Sequence, residues 1–393
     1  TTLSVNWRHS YLHNSFSRMS NQAPWVASRD LPARIRGTSI AELEQAIAAM
    51  ERAYALDEPQ EEWVWEPSVE TSPIDVFEAQ YVRAWLDRLI QHACRQSDAA
   101  HLVDPAAALL VHLAGQAAGG ARERLYLFFL HPHEAPRSRS EAAAAVRIRD
   151  VTLTEDALGA RTWGAAPYLA RRLLQQYINA TARPTHVLEL GAGTGLVGLA
   201  LAQGLSAQGA FVRVTLTDHH AAVLDNLAHN AGANAVNGVE VRRLDWQQVY
   251  EARGLAQGDY QTTAQTLPIH NDERAAAYGD VPPDAQYELI VAADCIYDPQ
   301  HAVWIEAVAL QHLAQRSDTI HPQLQLLMPM RSTHHGELQS VYDTFCATRG
   351  WALVAQYTMD GIDNFGPAEL RQSDGPVRSG SFVAYRHLVI ERL

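Results

Sequence analysis

ELGAGTG at residues 189–195 constrains this chain more than any other segment. It follows an apolar run, THVLELG at 185–191, that reads as a buried strand. It leads into LVGLALA, which has the composition of a buried helix. Alternating glycines there permit left-handed backbone and close approach of a ligand, at the positive N-terminus of the next helix. The rhythm continues downstream. AVRIRDVTL (145–153), FVRVTLTD (211–218), VEVRRLDW (239–246), YELIVAAD (287–294) and LQLLMPM (324–330) read as strands. Helical stretches lie at about 163–177 and near 219–231, 300–315 and 335–349, and ALVAQYT (352–358) with SFVAYRHLVI (381–390) reads as an antiparallel pair. Strands alternating with helices predict an α/β fold with a mostly parallel sheet covered on both faces.

The first 140 residues read differently. Helical spacing at 41–56, 75–94 and 105–117 predicts a mostly helical domain over 1–140, with Trp63 and Trp65 on a short strand or loop between the first two helices. HPHEAPRSRSE (131–141) has linker composition, so the sheet domain is expected over 141–393. Within it, 251–284 is rich in Ala, Gln, Gly, Asp and Pro and reads as a surface insertion.

Charge and cysteine usage exclude several classes. The net charge is −13, from 44 acidic and 31 basic residues, which argues against a general nucleic-acid binder. The sequence contains no lysine, so every one of those bases is arginine. A GC-rich genome accounts for that composition; avoidance of self-modification by an enzyme acting on lysine is a sharper reading of it. Cys94, Cys295 and Cys346 are odd in number and far apart, offering neither a disulfide framework nor a zinc ribbon. The 18 histidines form no HExxH or Cys/His array, so no metal is expected. No apolar run reaches the ~18 residues of a membrane span, and no signal peptide is visible, although the chain does not start with Met. A cytoplasmic monomer is the expectation.

The glycine loop fits two templates. Gly193, Gly195 and Gly198 satisfy the dinucleotide fingerprint. Glu189 with Gly191, Gly193 and Gly195 satisfies the acidic-x-Gly-x-Gly-x-Gly loop of S-adenosylmethionine enzymes. Asp218 ends the next strand, where either cofactor class needs a carboxylate for its ribose hydroxyls. Two further segments break the tie. LDW closes the third strand, where methyltransferases of this architecture place an acid near the adenine amine and an aromatic over its ring, roles that Asp245 and Trp246 suit. ADCIYD (293–298) ends the fourth, placing Ala293 beside the cofactor and Asp294 and Tyr297 towards a reacting centre.

The order TWGAAPYLA (162–170), VLELGAGTGLVGLALA, TDHHAAVLDNLAHN (217–230), LDW and ADCIYD resembles the seven-strand protein-lysine methyltransferases, whose DxxY signature is carried here by Asp294 and Tyr297. YDPQHAVWI (297–305) and MDGIDNFG (359–366) look most like the fungal enzymes that methylate elongation factors, which also carry an extra N-terminal helical domain. The resemblance covers roughly 145–393 and rests for specificity on TW plus DxxY. It implies a Rossmann-like seven-stranded fold, S-adenosyl-L-methionine as cofactor, a protein substrate and Trp163 flanking the cofactor's methionine end. The tail after Gly366 is longer than the family pattern. A lysine ammonium, of pKa about 10.4, must lose its proton before attack. An apolar channel favours that loss, with Asp294 orienting the ammonium and Tyr297 receiving it on its ring face. Two other readings stay open: a small-molecule N-methyltransferase of the nicotinamide type, and a non-catalytic module binding S-adenosylmethionine or a dinucleotide. The N-terminal domain favours docking of a large folded partner.

Overall fold

The computed structural model describes residues 27–53, 61–64, 76–113, 122–130, 138–151, 158–254, 273–317, 321–331, 335–347, 350–368 and 379–393. The N-terminal part contributes α1 (Ala27–Asp30), α2 (Ile40–Ala53), β1 (Glu61–Val64), α3 (Val76–Ala93), α4 (Val103–Leu113) and β2 (Arg122–Phe128). There follow β3 (Ala144–Asp150), α5 (Ala165–Tyr177), β4 (His186–Leu190), α6 (Leu196–Ala207), β5 (Arg213–Asp218), α7 (Ala221–Asn234), β6 (Val239–Arg243) and α8 (Trp246–Ala252). The chain closes with α9 (Glu273–Ala276), β7 (Leu289–Ala293), α10 (Gln300–His312), β8 (Gln323–Pro329), α11 (His335–Phe345), β9 (Trp351–Ala368) and β10 (Ser379–Arg392).

The large sheet has seven strands in the order β6-β5-β4-β7-β8-β10-β9. Strands β4 to β8 run parallel, and β10 inserts antiparallel between β8 and β9. This is the Rossmann-like α/β fold expected from the sequence. The chain turns outward in both directions from β4, so β4 with β5 and β7 forms the switch point where such sheets bind ligands. Alternation along each strand feeds two cores. Val187, Leu216 and Val291 pack under α5 and α6, while Leu188, Leu190, Ile290 and Leu326 pack under α10 and α11. Helix α6 is apolar on every side over Leu196–Ala202, where every residue is buried. Gly198 lets it approach β5, since an added Cβ would lie 2.4 Å from the Leu216 side chain.

Helices α1 to α4 close a core of their own around Leu43, Met50, Trp85 and Leu89. The first 140 residues are not all helical, however. RERLYLF forms β2, with Arg124, Tyr126 and Phe128 pointing inward by strand alternation. It pairs parallel to β1 and antiparallel to β3 in a three-stranded sheet. The strand-like run near 145–153 is therefore β3 of this smaller sheet rather than a member of the large one. Val64, Tyr126, Phe128, Val146 and Ile148 share one core with α5 and α6, so the small sheet is packed on the large domain.

Strand β3 also has an edge facing α7, which is covered by side chains instead of another strand. Asn234 Oδ1 accepts from Arg147 N (2.9 Å) while its Nδ2 donates to Arg147 O (2.7 Å). Asn230 repeats this at Arg149, accepting at 2.9 Å and donating at 3.3 Å, and Asn226 Nδ2 adds a bond to Arg149 O at 2.9 Å. Spacing of four places the three asparagines on one helical face, where their amides satisfy backbone groups as a neighbouring strand would. Of the expected 251–284 insertion, 255–272 lies outside the described residues. Ala275 and Val281 are buried, and Val281 N bonds Arg243 O at 3.1 Å, so the described end docks against the β6 edge. The tail after Gly366 is described only at its ends, and no helix among the described residues is long and apolar enough to cross a membrane.

Candidate functional site

The glycine loop sits at the carboxyl end of β4. Gly191, Gly193 and Gly195 have φ of +55°, +57° and +82°, a left-handed run that only glycine adopts without strain. Surrounding groups hold it. Ala192 N donates to Thr217 O at 2.7 Å, and Asn230 of the asparagine ladder donates to Thr194 O at 3.0 Å. Glu189 lies behind the loop. Its carboxyl group is buried and accepts from Gly198 N in the first turn of α6 at 2.7 Å. Burial pushes its pKa up to about 8.

The other residues expected from the sequence lie at the carboxyl ends of β5, β6 and β7, on the same edge of the sheet as the glycine loop. Asp218 ends β5 and accepts from His219 N (2.8 Å), His220 N (3.2 Å) and Gly193 N (3.4 Å). Asp245 follows β6 and caps α8 by accepting from Gln248 N at 3.2 Å. Trp246 reaches back over Gly191, where an added Cβ would lie 3.2 Å from the indole. Ala293 ends β7, half-buried. The donor and acceptor set fits S-adenosylmethionine: a carboxylate for a ribose diol, a second for an adenine amine, an indole for the ring, and bare glycine backbone with a helix N-terminus for a carboxylate.

Beneath the loop runs a buried polar chain that begins in the N-terminal strands. Arg124 of β2 contacts Glu62 of β1 at 3.3 Å and lies 3.1 Å from Asp150, poorly aligned for a hydrogen bond. Asp150 Oδ1 accepts from Thr162 N (2.8 Å) and Thr162 Oγ1 (3.0 Å), and the Thr162 and Thr194 hydroxyls are 2.9 Å apart. Arg124, Asp150, Thr162 and Thr194 are each at most 3% exposed. Through this chain the strands before residue 130 brace the glycine loop.

At the end of β7, Asp294 adopts φ +53°, which is unusual for a residue with a side chain. Both its carboxylate oxygens accept from Arg331, at 3.1 and 3.0 Å. The Arg331 guanidinium lies 5.7 Å from the ring centroid of Trp163. Trp163 and Asp294 are thus brought together, through an arginine that the sequence does not single out. Tyr297 is 65% exposed, with its ring 4.5 Å from His301 in edge contact. His301, also missed from sequence, is buried between Tyr297, Trp246 and Trp304, and its Nδ1 lies 3.2 Å from Cys295 O. Burial lowers its pKa, favouring the neutral ring. Cys295 is buried and its thiol pKa is pushed up by desolvation, consistent with a packing role.

Residues 143–262 match the lysine methyltransferase family model. That span contains Trp163, the glycine loop, Asp218 and Trp246, and it bears out the resemblance seen in the sequence. The protein-lysine N-methyltransferase rrg1 of Schizosaccharomyces pombe is 29% identical over 205 residues, covering 49% of this chain and 54% of that protein. The protein-lysine N-methyltransferase EFM2 of Saccharomyces cerevisiae is 25% identical over 238 residues, covering 57% and 49%. The chain therefore spans about half the length of these curated relatives. Among solved structures, an O-methyltransferase from Bacillus cereus in complex with SAH aligns with 61% of this chain and 83% of its own, at 13% identity and a TM-score of 0.33.

Proposed function

We propose that this chain transfers a methyl group from S-adenosylmethionine to lysine side chains of a protein. The convergence of Asp218, Asp245, Trp246 and the glycine loop at the switch point of a seven-stranded sheet, within a segment matching lysine methyltransferases, carries the reading. When bound, the cofactor supplies an electrophilic sulfonium methyl. Asp218 accepts the ribose hydroxyls, Asp245 the adenine amine, and Trp246 covers the ring. Glu189 acts through the loop, by fixing the first turn of α6, rather than on the ligand. Asp294 meets the substrate's ammonium beside Trp163, and Tyr297 offers its ring face at the rim. Desolvation there favours loss of the ammonium proton to water, and alignment of the amine with the methyl group does the rest.

The proposed substrate is a translation elongation factor. YDPQHAVWI and MDGIDNFG support this by their likeness to the enzymes acting on such factors. The helices of the N-terminal part, with their separate core, suit docking on that partner. The test is incubation with methyl-labelled cofactor in a lysate lacking the enzyme, followed by identification of the labelled band. A labelled elongation factor supports the reading; label in a small amine such as nicotinamide supports the alternative instead.

A further inference from the structure

Asp294 is built to receive a cation and already holds one. Its backbone is fixed in the left-handed region and tied down by Asp294 N donating to Leu327 O at 3.0 Å. Its side chain is only 4% exposed, whereas that of Arg331 is 22% exposed, so the arginine is the outer member of the pair. Trp163 lies against the same guanidinium. A buried carboxylate beside an indole face is a pair of groups that binds alkylammonium ions as well as guanidinium. With both carboxylate oxygens engaged by Arg331, an incoming lysine finds the position taken.

We propose that Arg331 occupies, in the substrate-free protein, the cation site of the acceptor lysine, and that the substrate must displace it. The inference rests on the reading of Asp294 as the residue that meets the substrate's ammonium. It also narrows the substrate class. Arg331 is tethered, so it competes at an effective concentration in the millimolar range or above, with two hydrogen bonds in a fork. A free small amine loses that competition. A lysine presented on a docked protein surface wins it, because contacts elsewhere offset the displacement. Arg331 is thus a specificity-determining residue that selects lysines by how they are presented.

The lysine-free sequence gives a clean test. First, n-butylammonium binding to the full chain is followed by NMR for wild type, Arg331→Ala and Arg331→Gln, the second variant keeping a polar group over Asp294 should the first not fold. The expected result is saturable binding to the variants, none to wild type, and loss of binding when Asp294→Asn is added. Variants that bind butylammonium no better than wild type overturn the proposal. Second, Arg331→Lys places an amine in the acceptor position. The ammonium gives its proton to water, the neutral nitrogen attacks the cofactor's methyl carbon, the carbon–sulfur bond breaks with its electron pair left on sulfur, and S-adenosylhomocysteine leaves. Peptide mass spectrometry should find the methyl group on residue 331. A protein that methylates a lysate target as wild type, yet stays unmodified as Arg331→Lys, also overturns the proposal. Butylammonium binding without any methyl transfer would instead sink the methyltransferase reading and leave the cation site standing.

Discussion

Glu189→Gln should stabilise the protein, and more so as pH rises. The Glu189 carboxyl is buried beneath the glycine loop, with its pKa raised from 4.5 to about 8. The unfolded chain ionises near 4.5, so the folded state binds an extra proton between the two values. Stability from this group is therefore complete below the unfolded pKa and is lost as pH rises through the folded one. At pH 7 the gap spans about 2.5 pH units, or roughly 3 kcal/mol at about 1.36 kcal/mol per unit. Glutamine keeps an acceptor for Gly198 N and cannot ionise, so it removes that loss. Thermal melts of both proteins from pH 5 to pH 8 provide the assay. The difference in melting temperature should grow with pH, to an order of 5 °C near neutrality. A difference that is flat across the range, or that falls towards pH 8, refutes the account of a neutral carboxyl in a dry site. Glu189→Ala should do worse than Gln at every pH, because it strips the acceptor from the first turn of α6.

Asp218→Ala should weaken S-adenosylmethionine binding by about 1.5–3 kcal/mol by calorimetry, the range for hydrogen bonds to a charged group, and unchanged affinity would contradict the site. Arg124→Met breaks the buried ion pair with Asp150, leaving only the weaker field of Arg122 and Arg161 on that carboxylate, and should cost about 3–5 kcal/mol in denaturant unfolding, with a loss near zero ruling out the buried chain as a brace. A truncation starting at Glu141 removes β1 and β2 from β3 and bares Val146 and Ile148, so it should not reach a cooperative thermal transition; a normal melt with full cofactor binding would show that the small sheet is dispensable.

The sheet was legible because its strands are apolar runs bounded by glycines and charges, and because β4, the loop and α6 have a residue pattern with few alternatives. What escaped the reading depends on contacts distant in sequence or on backbone bends. Strand β2 alternates weakly, since Leu125 and Leu127 put apolar groups on its second face too, with Leu127 buried, and it lies within an otherwise helical stretch. Arg331 follows Asp294 by 37 residues, and only the parallel pairing of β7 with β8 brings them into contact. The left-handed turn at Asp294 has no glycine to announce it. The Asn226, Asn230 and Asn234 ladder did carry a signal, a spacing of four on one helical face, but spacing alone does not say that a strand edge lies opposite. Glu189 shows the converse: the residue pattern marks it as part of the loop, and its buried carboxyl turns back to Gly198 N.

The central claim, a methyl transfer to lysine organised at the end of β7, is tested most directly by Asp294→Ala. Cofactor affinity is measured by calorimetry, and methyl-labelled lysate protein is hydrolysed to see which amino acid carries the label. Wild type should label lysine; Asp294→Ala should bind the cofactor as wild type does and label about a hundredfold more slowly, the cost of misplacing an amine by about 1 Å. Normal labelling by the variant, label on a residue other than lysine, or a defect confined to cofactor binding would contradict it.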